Sequence, residues 1–191
     1  VITSGTYTIT AGKKGIAAND TLAVAGGSLT ITSGTDGIHA ENSKDASQGN
    51  ILIAGGSFDI VSGGDGISAG GTLTVIDGSL TIQAGGGSST VSRSAKGGWT
   101  WGGKTADTSE TGTSTKGLKA ETLIEIQGGT ITVDSADDAI HSNGDIRILG
   151  GEIVLATGDD GVHADGTLNI VEYMAWMLKE GQSHGSQPAE A

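Results

Sequence analysis

Short runs in which apolar and polar residues alternate recur along this chain in pairs. One set reads Leu22-x-Val24, Ile51-x-Ile53, Leu73-x-Val75, Ile124-x-Ile126, Ile146-x-Ile148 and Leu168-x-Ile170. After a Gly-Gly or Asp-Gly turn a second set follows, at Leu29-x-Ile31, Phe58-x-Ile60, Leu80-x-Ile82, Ile131-x-Val133 and Ile153-x-Leu155. A period of two puts one face inward and one outward, so each run predicts a strand. Residues 1–12 enter this pattern partway, with Tyr7 and Ile9 in the places of Leu29 and Ile31.

Between the pairs stands a corner, in six copies: Lys14-Gly15-Ile16, Asp36-Gly37-Ile38, Asp65-Gly66-Ile67, Lys116-Gly117-Leu118, Asp138-Ala139-Ile140 and Asp160-Gly161-Val162. Gly15 and Gly37, Gly117 and Ala139, and Ala139 and Gly161 are each 22 residues apart. The remaining steps, 29 from Gly37 to Gly66 and 51 from Gly66 to Gly117, are the same unit with residues added. A fixed period with extra residues confined to certain steps is the mark of a solenoid. Three short strands per coil of about 22 residues around an aliphatic ladder predict an all-β, right-handed parallel β-helix over residues 1–171. Its six to seven coils at about 4.8 Å give a rod roughly 30–35 Å long.

Composition fits such a core. Glycine is high at 35 residues without the collagen triplet, and aromatics are only 3% of the 191 residues, which suits stacked Ile, Leu and Val. The net charge of −12 makes nucleic acid and anionic membrane poor partners and cations good ones. There is no cysteine, hence no thiolate metal site or disulfide framework, and no apolar run of about 18 residues that would insert in a membrane as a helix. The chain opens on Val1 and shows no signal peptide, as a processed secreted protein or a fragment would.

Two insertions interrupt the coils. Residues 42–49 read as a polar loop. Residues 85–115, rich in Gly, Ser and Thr, carry Trp99 and Trp101, which share a side if the segment is extended. That insertion reads either as a linker or as a loop that stacks on sugar rings. From residue 172 the repeat ends. A possible helical cap with Tyr173, Trp176 and Met177, or an end-to-end oligomer contact, is expected, followed by a polar tail.

Stacking is what gives the charged residues chemistry. The last two corners bring Asp137, Asp138, Asp159 and Asp160 within one coil spacing, with Asp134 and Asp165 near by in sequence. Two like charges about 4.8 Å apart repel by roughly 1 kcal/mol in water and about 3–4 kcal/mol at an effective dielectric of 20. Either solvent or a cation must offset this, and oxygen-only ligands beside corner carbonyls suit calcium. Two residues after the corner, the ladder reads Ala17, His39, Ser68, Lys119, His141 and His163. It reads as an exposed polar ladder on the ligand face; zinc at His141 and His163 lacks a third recurring nitrogen ligand. No nucleophile or phosphate-loop motif recurs.

The Ser135-Ala136-Asp137-Asp138-Ala139-Ile140-His141 and Asp159-Asp160-Gly161-Val162-His163-Ala164 corners carry a resemblance. So do the Lys116-Gly117-Leu118-Lys119-Ala120 coil and the Trp loop before it. Over residues 1–171 the chain resembles a bacterial family of secreted carbohydrate-binding β-solenoid domains that bind cellulose and polygalacturonate and contain calcium, similar in fold to the pectate lyases. The resemblance implies an extracellular or cell-surface protein that binds polysaccharide without cleaving it, assisted by calcium. On that reading His39, Trp99, Trp101, Lys119, His141 and His163 meet the polymer, and Asp134, Asp137, Asp138, Asp159, Asp160 and Asp165 hold metal. Two alternatives stand beside it. One is a head-to-tail filament subunit. The other is a polysaccharide lyase with Lys119 or Arg147 as base.

Overall fold

The structure, a computed structural model, describes residues 1–90 and 114–171. It is a parallel β-helix of three sheets, each with six strands. One sheet stacks the longest strands: Thr6–Ala11, Ser28–Ser33, Ser57–Ser62, Ser79–Ala84, Thr130–Ser135 and Glu152–Thr157. The corner sheet stacks Ile16–Ala18, Ile38–Ala40, Ile67–Ala69, Leu118–Ala120, Ile140–Ser142 and Val162–Ala164. The third stacks Thr21–Val24, Asn50–Ile53, Thr72–Val75, Leu123–Ile126, Asp145–Ile148 and Leu168–Ile170. Each coil contributes one strand to each sheet, so every lateral neighbour comes from the next coil and every pairing is parallel.

Register follows the alternation. Leu29 pairs with Phe58 and Phe58 with Leu80, while Ile31, Ile60 and Ile82 form the adjacent ladder. All six of these side chains are at most 2% exposed. A one-residue slip would turn each ladder to solvent, at about 1.5–3 kcal/mol per side chain, so the hydrophobic pattern locks the coils. Tyr7 pairs with Leu29 and Ile9 with Ile31, as the partial first repeat requires. At the other end of the described stack Leu168 and Ile170 keep register with Ile146 and Ile148 but are 45% and 61% exposed.

Two kinds of glycine shape the coil. The second residue of the Gly-Gly turns has a left-handed backbone, as at Gly27 (φ 106°) and Gly151 (φ 103°), where a side chain would be strained. The corner glycines serve close approach instead. A Cβ at Gly66 would lie 2.3 Å from Ile82 Cγ2 and 2.6 Å from the Gly117 carbonyl oxygen.

The first insertion is the polar loop expected, tied down by Asn42, whose Oδ1 accepts the N–H groups of Lys44 and Asp45. Of the second, the structure describes its two ends. Ser88–Thr90 forms a single 3-10 turn at one end, the only helical turn among the described residues. Trp99, Trp101 and the expected cap over residues 172–181 lie outside the described residues. No helix among the described residues is long and apolar enough to cross a membrane.

Candidate functional site

The chemistry sits along the corner sheet and the turn that leads into it. In that turn Asp36, Asp65 and Asp138 each reach along the stack. Asp36 Oδ1 accepts the Asp65 N–H at 3.2 Å, Asp65 Oδ1 accepts the Lys116 N–H at 2.9 Å, and Asp138 Oδ1 accepts the Asp160 N–H at 3.0 Å. The corner aspartates therefore cap the backbone of the following coil, and two of them, Asp65 and Asp138, are buried. Burial pushes the Asp36 carboxyl up, but the His39 contact and the Asp65 N–H outweigh it and hold it below the usual carboxylate value.

At the last two corners Asp137, Asp138 and Asp159 converge, with one carboxylate oxygen from each within 4.8 Å of the others. A protein cation is already among them. Lys116 Nζ is ion-paired with Asp137 and stands 3.8 Å from Asp138 Oδ2. Burial works against the charged ammonium, yet Asp137, then Asp138 and Asp65, hold Lys116 above its ordinary pKa. Asp159 is left with the excess: burial and the charges of Asp138, Asp160 and Asp137 push its carboxyl up. The other three candidate metal ligands are engaged elsewhere. Asp134 Oδ1 accepts the Ser88 N–H at 2.7 Å and anchors the start of the long insertion, which holds its carboxyl down. Asp160 and Asp165 each lie 3.3 Å from a ring nitrogen of His163.

Three carboxylates beside turn carbonyls are the right kind of donor for calcium, which takes six to eight oxygens. As arranged, however, Lys116 stands on Asp137, and both Asp138 oxygens are occupied, Oδ1 by the Asp160 N–H and Oδ2 by His141 at 2.7 Å. A calcium ion at this corner requires the lysine side chain to swing out.

The histidine ladder is organised in the same way in three coils. His39 Nδ1 lies 2.9 Å from Asp36 Oδ2 and its Nε2 3.2 Å from Glu41. His141 bridges Asp138 and Asn143, at 2.7 and 2.9 Å. His163 bridges Asp160 and Asp165. A carboxylate three residues before and a side-chain oxygen two residues after thus flank each ring, and for His141 both are hydrogen bonds. His141 pairs laterally with both Lys119 and His163, and the two rings stand 4.9 Å apart, tilted by 58°.

Between His39 and Lys119 the ladder is broken by a small residue. Ser68 pairs with His39 on one side and Lys119 on the other, and Gly70 follows it. The missing side chains leave a groove of about 220 Å³ walled by His39, Glu41, Lys119 and Glu121 and floored by Ser68, Ala69 and Gly70, with Asn42 and Ala46 of the polar loop at its rim. Lys119 Nζ lies 3.6 Å from Glu121, so donors and acceptors stand side by side at its wall. Glu41, Asn42, Ser68, Gly70 and Glu121 were not singled out as ligand residues from the sequence. The signal that marks them is the drop to Ser68 and Gly70 between coils that carry His39 and Lys119 at the first position.

Fold and site together define a β-solenoid with a ladder of paired polar side chains and an open groove on its corner face among the described residues. The chain belongs to a family described as carbohydrate-binding domain-containing protein, whose model matches residues 1–161. No curated protein and no solved structure matches it.

Proposed function

We propose that this chain binds an extended polysaccharide along the corner sheet, without cleaving it, and that the groove at Ser68 and Gly70 seats one sugar unit. The observation that carries this reading is the groove itself. Paired Lys119–Glu121 and His39–Glu41 offer donors and acceptors next to each other, the set a ring of hydroxyls needs. Family membership supports carbohydrate as the ligand class. Adjacent coils repeat about every 4.8 Å, so further units of a chain laid along the stack meet His141, Asn143 and His163. At the groove Lys119 and His39 are each paired with a carboxylate, which suits a neutral polymer such as cellulose.

An acidic polymer such as polygalacturonate must overcome the net charge of −12, and a calcium bridge at Asp137, Asp138 and Asp159 would permit it. The raised Asp159 carboxyl favours this second reading, because that side chain still carries uncompensated negative charge around it.

The test is retention on insoluble cellulose and on calcium pectate gel, with and without chelator. It compares wild type, Lys119→Ala/Glu121→Ala and Trp99→Ala/Trp101→Ala. Each lost hydrogen bond is worth about 0.5–1.5 kcal/mol, so the groove variant is expected to bind roughly tenfold more weakly. Unchanged retention of that variant on every polymer refutes the groove. Equal retention on pectate with and without chelator refutes calcium assistance alone.

A further inference from the structure

We propose that His141, His163 and Asp138 form a binding site for one divalent transition-metal ion of the zinc class, joining the last two described coils. Asp138 supplies the third ligand that the histidine ladder lacks when only the sequence is considered. Asp138 Oδ2 and one nitrogen from each ring lie within 4.8 Å of one another. The Nδ1 atoms are the inward ones: Asp138 Oδ2 is 2.7 Å from that of His141 and 3.9 Å from that of His163. Asp160 Oδ2 lies 3.3 Å from His163 Nδ1, outside the three-ligand cluster.

The outer nitrogens are arranged as in metal sites. His141 Nε2 meets Asn143 Oδ1 at 2.9 Å, and His163 Nε2 meets Asp165 Oδ1 at 3.3 Å. A metal on Nδ1 would displace the proton that His141 Nδ1 shares with Asp138 and leave the ring proton on Nε2, where Asn143 Oδ1 accepts it. The Asp138 carboxylate is fixed in turn: its residue is 4% exposed and its Oδ1 accepts the Asp160 N–H. In a tetrahedral site with bonds of about 2.0–2.1 Å, neighbouring ligand atoms stand about 3.3 Å apart. The two spacings to Asp138 Oδ2, 2.7 and 3.9 Å, bracket that value, and rotation of the rings brings the three ligands to it. Lys116 Nζ, 3.8 Å from Asp138 Oδ2, is a competing cation, and it is itself ion-paired with Asp137. Two imidazoles select zinc, nickel or copper over calcium, which takes oxygen. This inference does not rest on carbohydrate binding, and it shares only Asp138 with the calcium reading.

The test is isothermal titration of the metal-stripped 191-residue chain with zinc chloride in a non-chelating buffer, with cobalt(II) as a visible-absorption probe. One equivalent of zinc is expected, a cobalt band is expected, and excess calcium should displace neither. His163→Ala and His141→Ala should each weaken binding at least tenfold, whereas His39→Ala and His184→Ala should leave it unchanged. His163 is 41% exposed at its side chain, so that variant keeps the fold and decides the matter even if His141→Ala does not fold. No binding by wild type up to millimolar zinc overturns the proposal. So does full-strength binding by folded His163→Ala, or loss of binding in His39→Ala or His184→Ala.

Discussion

Replacing Lys116 by methionine isolates the charge balance of the acidic corner. Methionine keeps most of the aliphatic stem and removes the ammonium that pairs with Asp137 and faces Asp138. The side chains concerned are only 12%, 16% and 5% exposed, so solvent replaces little of the lost interaction. A unit charge pair about 4 Å apart is worth roughly 4 kcal/mol at an effective dielectric of 20. Stranding one partner of a buried pair costs about 3–5 kcal/mol in measured cases. Discounting for the partial exposure of Asp137, we expect Lys116→Met to lose about 2–4 kcal/mol, or about 6–12 °C in Tm for a domain of this size. Thermal melts followed by circular dichroism on wild type, Lys116→Met, Asp137→Asn and the double variant close the cycle. The double variant should recover part of the loss. Because the folded pKa of Lys116 is raised above 10.5, its contribution is complete below that pH and fades as pH climbs through the folded value. The alkaline fall in wild-type stability should therefore be shallower in Lys116→Met. A single variant within about 0.5 kcal/mol of wild type, with no coupling to Asp137, would refute this account of the corner.

Asp159→Asn should stabilise the protein at pH 7, by under about 1 kcal/mol given the screening of an exposed group, and the gain should shrink in high salt. The sign follows from its raised carboxyl: the ionised form is disfavoured by folding, so wild type regains this stability as pH falls through the folded pKa, and the variant does not. Gly66→Ala should cost about 1–3 kcal/mol in a denaturant melt, because its methyl would lie 2.3 Å from Ile82 Cγ2. Gly161→Ala, with nothing within 4 Å, should fall within about 0.5 kcal/mol of wild type, and equal losses at the two sites would refute the packing argument. Phe58→Ala, which empties a ladder position that is 2% exposed, should cost about 3–5 kcal/mol in the same melt.

Much of this protein was legible in its residues alone, for a reason particular to solenoids. A strand in a parallel stack has the same neighbour in the next coil at every position, so a recurrent spacing is also a contact list. The alternation at Leu29-x-Ile31 and Phe58-x-Ile60 told which side chains point inward, and the 22- and 29-residue steps told which ones touch. The vertical neighbours Lys119, His141 and His163 followed in the same way.

Only the tertiary structure decided how side chains are spent once they are neighbours. Spacing placed Asp137, Asp138, Asp159 and Asp160 at one edge, but rotamers and backbone direction sorted them. Asp138 turns inward to an N–H of the next coil, Asp160 turns to His163, and Lys116 swings across 21 residues of sequence to Asp137. Asp134 lies near the same corner in sequence, yet its strand turns it to Ser88. The groove, too, is a tertiary object. It exists because Ser68 and Gly70 are small where flanking coils carry His39, Glu41, Lys119 and Glu121, and because Asn42 and Ala46 of the polar loop line it. A repeat determines which positions meet. The charge, length and hydrogen-bonding demand of each side chain decide which of those meetings become contacts.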